Sequence, residues 1–275
     1  MKSLWNEQEA AALGSDPLAL RVYTSRLLGR EPALVLHGGG NTSVKVKTPN
    51  LFGELEHLLY VKGSGWDLAT IEAKGFAPVR METLLKLAAL EKLNDTDMVR
   101  VQKAAMTDPN APTPSVEAIL HALIPFEFVD HTHSDAVVAI TNTPGGEETI
   151  QKVLGSRVLY IPYVMPGFAL ARLVYELTRD TDWPLYDGMV LQHHGIFSFA
   201  NDGRASYEHM IRLVTAAEDF LAGKNALSAQ TAAAAAAAPA AEDLKKLATL
   251  RKAVSLQTGV AMVAQLDSSP SAVAY

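Results

Sequence analysis

Three histidines constrain the fold of this chain more than any other feature of its sequence. His131 and His133 follow the bulky apolar residues Phe126, Phe128 and Val129, which predict a strand over residues 126–133. Positions i and i+2 of a strand project from the same face, so both imidazoles point to one spot. A third imidazole, from His194, completes a site for a divalent metal if its strand lies beside the first. This pattern predicts a metal-dependent enzyme.

Composition limits the classes of protein to which the chain can belong. Its 275 residues are 48% hydrophobic and 20% charged, which suits one large domain with an appendage. A net charge of −6 without a basic run argues against nucleic acid as a partner. The chain has no cysteine, so His, Asp or Glu must hold any metal. We expect a cytoplasmic protein that does not bind membranes, because neither a signal-type segment nor a run of about 18 apolar residues occurs.

Helical and strand patterns alternate along residues 1–223, which we predict to form the catalytic domain. Helices are predicted over residues 17–28, 81–93, 116–123, 149–154, 167–177 and 205–221. Strands are predicted over residues 33–36, 42–47, 58–61, 126–133, 157–161, 188–192 and 196–199. An alanine run at residues 232–238 predicts a linker over 224–241. Residues 242–275 are then a C-terminal extension, with a helix over 242–256 followed by a tail.

Two loops of small residues are suited to binding a phosphate group. Residues 38–43 lack the Gly-Lys-Ser/Thr sequence of a P-loop and the glycine pattern of a dinucleotide fold, so nucleotide binding is not expected. This loop can instead offer backbone N–H groups and the side chains of Asn41 and Ser43 to a small anion. Residues 62–65 form a second such loop, with the cation of Lys62 beside it. Taken alone, either loop is more readily explained as a tight turn between strands.

In their order along the chain, these motifs resemble the class II aldolase/adducin family. The matching segments are Gly40–Ser43, Lys62–Gly65, Ser115–Glu117 with His121, His131–His133 and His194–Gly195, and the similarity runs from about residue 5 to residue 222. The longer sequence segments around these motifs resemble the aldolase half of the bifunctional rhamnulose-1-phosphate aldolase/alcohol dehydrogenases. The resemblance implies an α/β fold with three α/β/α layers around a mainly antiparallel central sheet. It also implies a homotetramer with active sites at the subunit interfaces.

The resemblance further implies roles for individual residues. His131, His133 and His194 match the zinc ligands of the family, and Glu117 matches the catalytic acid/base. The residues that match phosphate-binding positions are Asn41, Ser64, Gly65 and Ser115, to which the first loop adds Ser43. Val116 departs from the family pattern, because many members carry a second Ser or Thr directly before the catalytic carboxylate. A second acid/base, supplied in related enzymes by a tyrosine of a neighbouring subunit, is not assigned to any of the eight tyrosines.

A retro-aldol reaction follows from such a site. Zn²⁺ or another divalent metal on three neutral imidazoles can chelate a ketose phosphate and stabilise the enediolate that forms when the C3–C4 bond breaks. Glu117 then exchanges a proton with C3 of dihydroxyacetone phosphate, provided that burial raises its pKa. We therefore predict a lyase that cleaves a ketose 1-phosphate, such as rhamnulose 1-phosphate, to dihydroxyacetone phosphate and an aldehyde. Epimerisation or decarboxylation of a sugar phosphate at the same metal is the alternative, and a non-catalytic adducin-like interaction module is a remote one.

The remaining polar residues near these motifs also have structural explanations. His193 faces away from His194 on a regular strand, which indicates a supporting or structural role. His121 follows the predicted base by four residues, so it either orients the carboxylate or packs in the core. Asp130 or Asp135 can accept the second imidazole N–H of the histidine pair, although Asp130 points away in a regular strand.

Overall fold

One sheet runs through the first 220 residues. The structure, a computed structural model, describes residues 1–226, 241–264 and 266. Within these residues the strands are β1 (Asn41–Pro49), β2 (Leu55–Lys62), β3 (Phe76–Arg80), β4 (Phe128–Thr132), β5 (Val158–Ile161), β6 (Gly188–Leu191) and β7 (Gly195–Ala200). They pair in the order β3-β2-β1-β4-β7-β6-β5, and every pair is antiparallel except β5 with β6. The predicted mainly antiparallel sheet is confirmed.

Helices form three of the six connections between these strands and also precede β1 and follow β7. They are α1 (Glu7–Ala12), α2 (Pro17–Gly29), α3 (Met81–Ala88), α4 (Asp95–Ala104), α5 (Ala118–Leu123), α6 (Asp135–Thr141), α7 (Gly146–Leu154), α8 (Phe168–Thr178), α9 (Gly203–Gly223) and α10 (Ala241–Thr258). The start of α2 follows from its sequence, because the Asp16 side chain accepts from the N–H of Leu18 and Pro17 occupies the first turn. Among the described residues, no helix has the length and apolar character needed to cross a membrane.

The central strand β4 divides its side chains between the two faces of the sheet. Val129 packs in a core cluster to which α3, α5 and α8 contribute, and the His131 ring stacks on Phe197 of the same cluster. On the opposite face, Asp130 bonds to α2 and α9, and Thr132 donates to Met210 of α9. Helices therefore cover both faces of the sheet, as the predicted α/β/α layers require.

A buried ion pair attaches α2 to the centre of the sheet. The Arg21 guanidinium donates to the Asp130 carboxylate, and both side chains are completely buried. Ser206 of α9 donates to the other carboxylate oxygen of Asp130. Arg21 also reaches the carbonyl oxygens of Ser43 at 3.4 Å and Val129 at 3.5 Å. One charged pair thus connects two helices with two adjacent strands.

Some predicted elements differ from the observed ones. Residues 33–36 form turns and not the predicted strand, since the N–H groups of Leu34 and Val35 both donate to the carbonyl of Glu31. The side chains of Leu34 and Val35 are buried although the backbone is not extended, whereas that of Leu36 is exposed. The helix predicted over 81–93 ends at Ala88. Strand β3 and helices α1, α4 and α6 have no counterpart in the predicted pattern.

The described residues from Leu221 onwards belong to a second compact unit. Its helix α10 matches the helix predicted over residues 242–256, and none of its side chains is buried. Most of the predicted linker, residues 227–240, and most of the predicted tail, residues 267–275, lie outside the described residues. The division into a catalytic domain, a linker and an extension stays a prediction.

The buried ion pair generates a prediction about stability. Arg21→Leu leaves the Asp130 carboxylate as an uncompensated buried charge, so we expect the free energy of unfolding to fall by about 3–5 kcal/mol. The matched control is Arg100→Leu, which removes an exposed arginine paired with Asp97 on α4 and changes the same quantity by less than about 0.5 kcal/mol. Denaturant titration followed by circular dichroism measures both. Equal effects of the two substitutions would contradict the role of Arg21.

Candidate metal centre and catalytic site

Three imidazoles meet at one end of the central strands. His131 is on β4, His133 directly follows that strand, and His194 lies in the turn Gln192–His194 that joins β6 to β7. Because β7 pairs with β4, with His131 opposite Phe197, the turn before β7 lies beside the end of β4. The nitrogen atoms of the three histidines that could bind a metal all lie within 4.8 Å of one another. The structure therefore brings together the three residues predicted as ligands.

The geometry of this cluster fits a divalent metal. His131 Nε2 and His133 Nε2 are 3.1 Å apart, close to the separation of about 3.3 Å that tetrahedral zinc imposes on two nitrogens. His131 Nδ1 donates to the carbonyl of Ile196 at 3.1 Å, which leaves its Nε2 free to bind a metal. Burial is the main reason why the pKa of His131 lies well below its usual value and that of His133 is lowered to about 4. Neutral imidazoles are the form that binds metals. The group that accepts the second N–H of His131 is the carbonyl of Ile196 and not, as predicted, the side chain of Asp130 or Asp135.

Gly195 permits the close approach of these segments. A Cβ atom at this position would lie 2.3 Å from the carbonyl oxygen of Thr132, 3.1 Å from His131 Cε1 and 3.2 Å from His133 Cδ2. Any side chain at residue 195 would push the turn away from the end of β4. The glycine after His194 is therefore required by the distance between two backbones.

Glu117 faces the three histidines from the turn before α5. Its Oε2 lies 3.4 Å from His131 Nε2 and its Oε1 lies 3.5 Å from His194 Nε2. Asn41 Nδ2 donates to Oε2 at 2.6 Å, whereas Oε1 is buried without a hydrogen-bond partner among the described residues. Burial raises the pKa of Glu117, against the opposing effects of His194, Asn41 and Lys62. A raised pKa and an unpartnered oxygen are properties expected of a general acid/base.

A cavity of about 320 Å³ opens in front of Glu117 and the histidines. Its lining consists of three loop segments, residues 38–41, 62–65 and 115–117, together with His133, Pro166 and His194. Lys62 places a positive charge in this lining, and its Nζ donates to the carbonyl of Gly38 at 3.0 Å. Four of the predicted phosphate-binding residues line the cavity: Asn41, Ser64, Gly65 and Ser115.

Ser43, the fifth predicted phosphate-binding residue, lies outside this lining. It shares a face of β1 with Asn41, but it lies two residues further along the strand and is completely buried. Its hydroxyl is 2.7 Å from His121 Nδ1. The Nε2 atom of His121 in turn contacts Asn41 Oδ1. This placement supports an internal role for Ser43 and not the predicted contact with phosphate.

His193 and His194 lie in the turn between the two predicted strands, so the opposite directions of their side chains do not come from a regular strand as expected. The backbone of His193 is left-handed, with φ +58°, so the two adjacent imidazoles diverge. His193 Nδ1 lies 2.6 Å from Asn142 Oδ1, and its ring lies 5.6 Å from that of Tyr163. The side chain of His193 is therefore engaged away from the cluster, as predicted, although the backbone geometry responsible is different.

The two adjacent histidines allow a matched test of the metal centre. His194→Ala removes one of three ligand nitrogens, so we expect the affinity for Zn²⁺ to fall by at least about 100-fold. His193→Ala removes an imidazole that points elsewhere and leaves the affinity within about threefold of the wild-type value. Competition titration with a chromophoric chelator measures both affinities. A similar loss in both variants, or in neither, would contradict the assignment of His194.

Comparisons with known proteins agree with this arrangement. The sequence profile of the family described as Class II Aldolase and Adducin N-terminal domain matches residues 19–221. A Bacillus subtilis (strain 168) protein called "Uncharacterized oxidoreductase YuxG" is 32% identical over 221 residues, which make up 80% of this chain and 32% of that protein. The chain thus spans about a third of the length of this relative.

Solved structures have the same fold. The N-terminal class II aldolase domain of a conserved protein from Thermoplasma acidophilum is 40% identical, with a TM-score of 0.73 over 80% of this chain and 99% of that chain. A sugar-phosphate aldolase from Thermotoga maritima is 15% identical, with a TM-score of 0.56 over 76% of this chain and 96% of that chain, which shows a shared fold alone. Because the family profile covers most of its length, this chain belongs to the class II aldolase/adducin family.

Proposed function

We propose that this protein is a zinc-dependent aldolase that cleaves a ketose 1-phosphate of the rhamnulose 1-phosphate type to dihydroxyacetone phosphate and an aldehyde. The observation that carries the proposal is the position of Glu117. Its buried carboxylate faces three converging imidazoles and has one oxygen without a partner among the described residues. Membership of the class II aldolase/adducin family supports a carbon–carbon lyase.

The phosphate group of the substrate would lie between the loops that line the cavity. Lys62 is only 4% exposed, and its bond to Gly38 holds the ammonium group at the cavity wall. The hydroxyl groups of Ser64 and Ser115 and the backbone of Gly65 add neutral groups on the same wall. Because the whole chain carries a net charge of −6, this local cation is what favours an anionic ligand here.

The metal would be held by His131, His133 and His194. A donor set made of imidazoles alone is typical of catalytic zinc. When bound, the divalent ion supplies a Lewis acid that stabilises negative charge on the carbonyl oxygen of the substrate.

Glu117 would move the proton at C3. In cleavage, the C4 hydroxyl loses its proton, the C3–C4 bond breaks, its electron pair passes to C3 and on to the carbonyl oxygen at C2, and Glu117 returns a proton to C3; condensation reverses these steps. Oε1 is the atom suited to carrying this proton, because Oε2 already accepts from Asn41. Burial, which raises the pKa of Glu117, favours a protonated state that an exposed carboxyl would rarely adopt near neutral pH.

Cleavage also requires a base for the proton of the C4 hydroxyl. In related enzymes this base is a tyrosine, and no tyrosine from the described part of the chain lines the cavity. We therefore propose that a tyrosine from a neighbouring subunit of a homotetramer supplies it. A second subunit would also close a cavity that opens to the surface of a single chain.

A coupled assay for dihydroxyacetone phosphate, run over a panel of ketose 1-phosphates with Zn²⁺ present, tests the proposed function. We expect release of this product from at least one substrate, and a fall in kcat of about 100- to 10,000-fold for Glu117→Gln with zinc content retained. Glu148→Gln, an exposed change on α7, is the control and leaves kcat unchanged. An isomer of unchanged mass as the product would indicate an epimerase, and release of carbon dioxide from a phosphorylated sugar acid, assayed in parallel, would indicate a decarboxylase. Either result, or full activity of Glu117→Gln, would overturn the proposal.

The charge of Lys62 generates a separate prediction about binding. Lys62→Met keeps the length of the side chain and removes a charge-assisted contact to phosphate, so KM should rise by about 10- to 100-fold while kcat stays within about threefold. The control is Lys74→Met, since Lys74 is 71% exposed and pairs with Glu72. Inhibition by inorganic phosphate should weaken in parallel with the rise in KM. An unchanged KM would place the phosphate elsewhere.

A further inference from the structure

A chain of four buried polar side chains runs from the core to the carboxylate of Glu117. Ser43 Oγ is 2.7 Å from His121 Nδ1, and His121 Nε2 contacts Asn41 Oδ1. Asn41 Nδ2 is 2.6 Å from Glu117 Oε2. None of the four residues is more than 6% exposed, so each hydrogen bond is shielded from water.

The direction of every bond follows from the carboxylate end of the chain. A carboxylate only accepts, so the atom of Asn41 that faces Glu117 is the amide nitrogen, and Oδ1 faces His121. An amide oxygen also only accepts, which requires the proton of His121 to be on Nε2. Burial holds the pKa of His121 well below its usual value, so Nδ1 carries no proton and accepts from the Ser43 hydroxyl.

We propose that His121 is a positioning residue that orients the catalytic base through Asn41. The Nε2–H group of His121 fixes the Asn41 amide, and that amide holds Glu117 by Oε2, which leaves Oε1 for the substrate proton. The inference rests on the proposed function, because it takes Glu117 to be the acid/base. It also assigns the side chain of Asn41 to Glu117, whereas the family resemblance implied a contact with phosphate.

Packing alone would not require a histidine at position 121. The His121 ring makes an edge contact with Phe197, with ring centres 5.4 Å apart, and Phe197 stacks on His131 at 4.2 Å. An apolar side chain could fill this space, but it would leave Asn41 Oδ1 and Ser43 Oγ buried without their present partner. Without the donor from His121, the Asn41 amide could turn its oxygen towards the Glu117 carboxylate, and the two oxygens would repel each other.

Two substitutions separate positioning from packing. His121→Leu fills the core without a donor, so we expect kcat to fall by about 10- to 100-fold with KM and zinc content unchanged. His121→Gln keeps an N–H group near the position of Nε2, and it retains at least about a third of the wild-type kcat. Thermal unfolding of both variants checks that each is folded. Equal losses of kcat in the two variants, or a loss confined to KM or to zinc content, would overturn the proposal.

A measurement on the wild-type protein does not depend on activity. Long-range ¹H–¹⁵N spectra of histidine-labelled protein, with the His121 signals assigned by their absence from His121→Gln, should show a neutral ring protonated on Nε2 at neutral pH. A ring protonated on Nδ1, or a charged ring, would overturn the proposal. If the Nε2–H form is found but no ketose 1-phosphate is cleaved, the proposed function fails and the hydrogen-bonded chain stands. If cleavage occurs and His121→Leu behaves as the wild type, the positioning proposal alone fails.

Discussion

One row of paired residues across the centre of the sheet determines where everything else in the site lies. Asn41 of β1 pairs with His131 of β4, and His131 pairs with Phe197 of β7. Residues in such a row project from the same face and stand about 5 Å apart. This spacing brings the three glycines before β1, residues 38–40, the histidines at the end of β4 and the turn before β7 to the same edge of the sheet. A shift of the pairing by one residue would send His131 to the opposite face.

The two faces of β4 treat buried polar groups differently. On the face towards α2 and α9, Arg21 and Ser206 together bond both carboxylate oxygens of Asp130. On the other face, Glu117 has one bonded oxygen and one without a partner among the described residues. A buried network in which every polar group is hydrogen-bonded adds rigidity. A buried polar atom without a partner instead lowers the stability of the fold, and other contacts must offset this loss. The rigid network therefore lies directly beneath the strand that carries His131, and the unsatisfied atom lies where the chemistry is proposed.

Short-range patterns predicted much of this arrangement. The two-residue period of a strand placed His131 and His133 together, and the apolar runs on both sides of His193-His194 indicated strands β6 and β7, although not that their turn lies beside the end of β4. The same reasoning was wrong for residues 33–36, where the buried side chains of Leu34 and Val35 accompany a turn. It also could not locate the Ile196 carbonyl that bonds His131, because every residue has a backbone carbonyl and the residue type does not indicate which one is used. Ser43 shows a further limit. The period of a strand predicts that Ser43 and Asn41 share a face, but it does not predict which of the two lines the cavity and which contacts the core.

The position of Asn41 directly after residues 38–40 connects the proposed phosphate site with the proposed base. Lys62 bonds the carbonyl of Gly38, and three residues later Asn41 bonds Glu117, so the proposed phosphate site and the base belong to one short backbone segment. Only a few peptide units therefore separate the backbone beside the proposed anion site from the side chain that bonds the carboxylate. Binding energy from a part of the substrate that does not react is then available at the carbon that does. The segment from Gly38 to Asn41 thus joins the side of the cavity proposed for the phosphate to the side proposed for the chemistry.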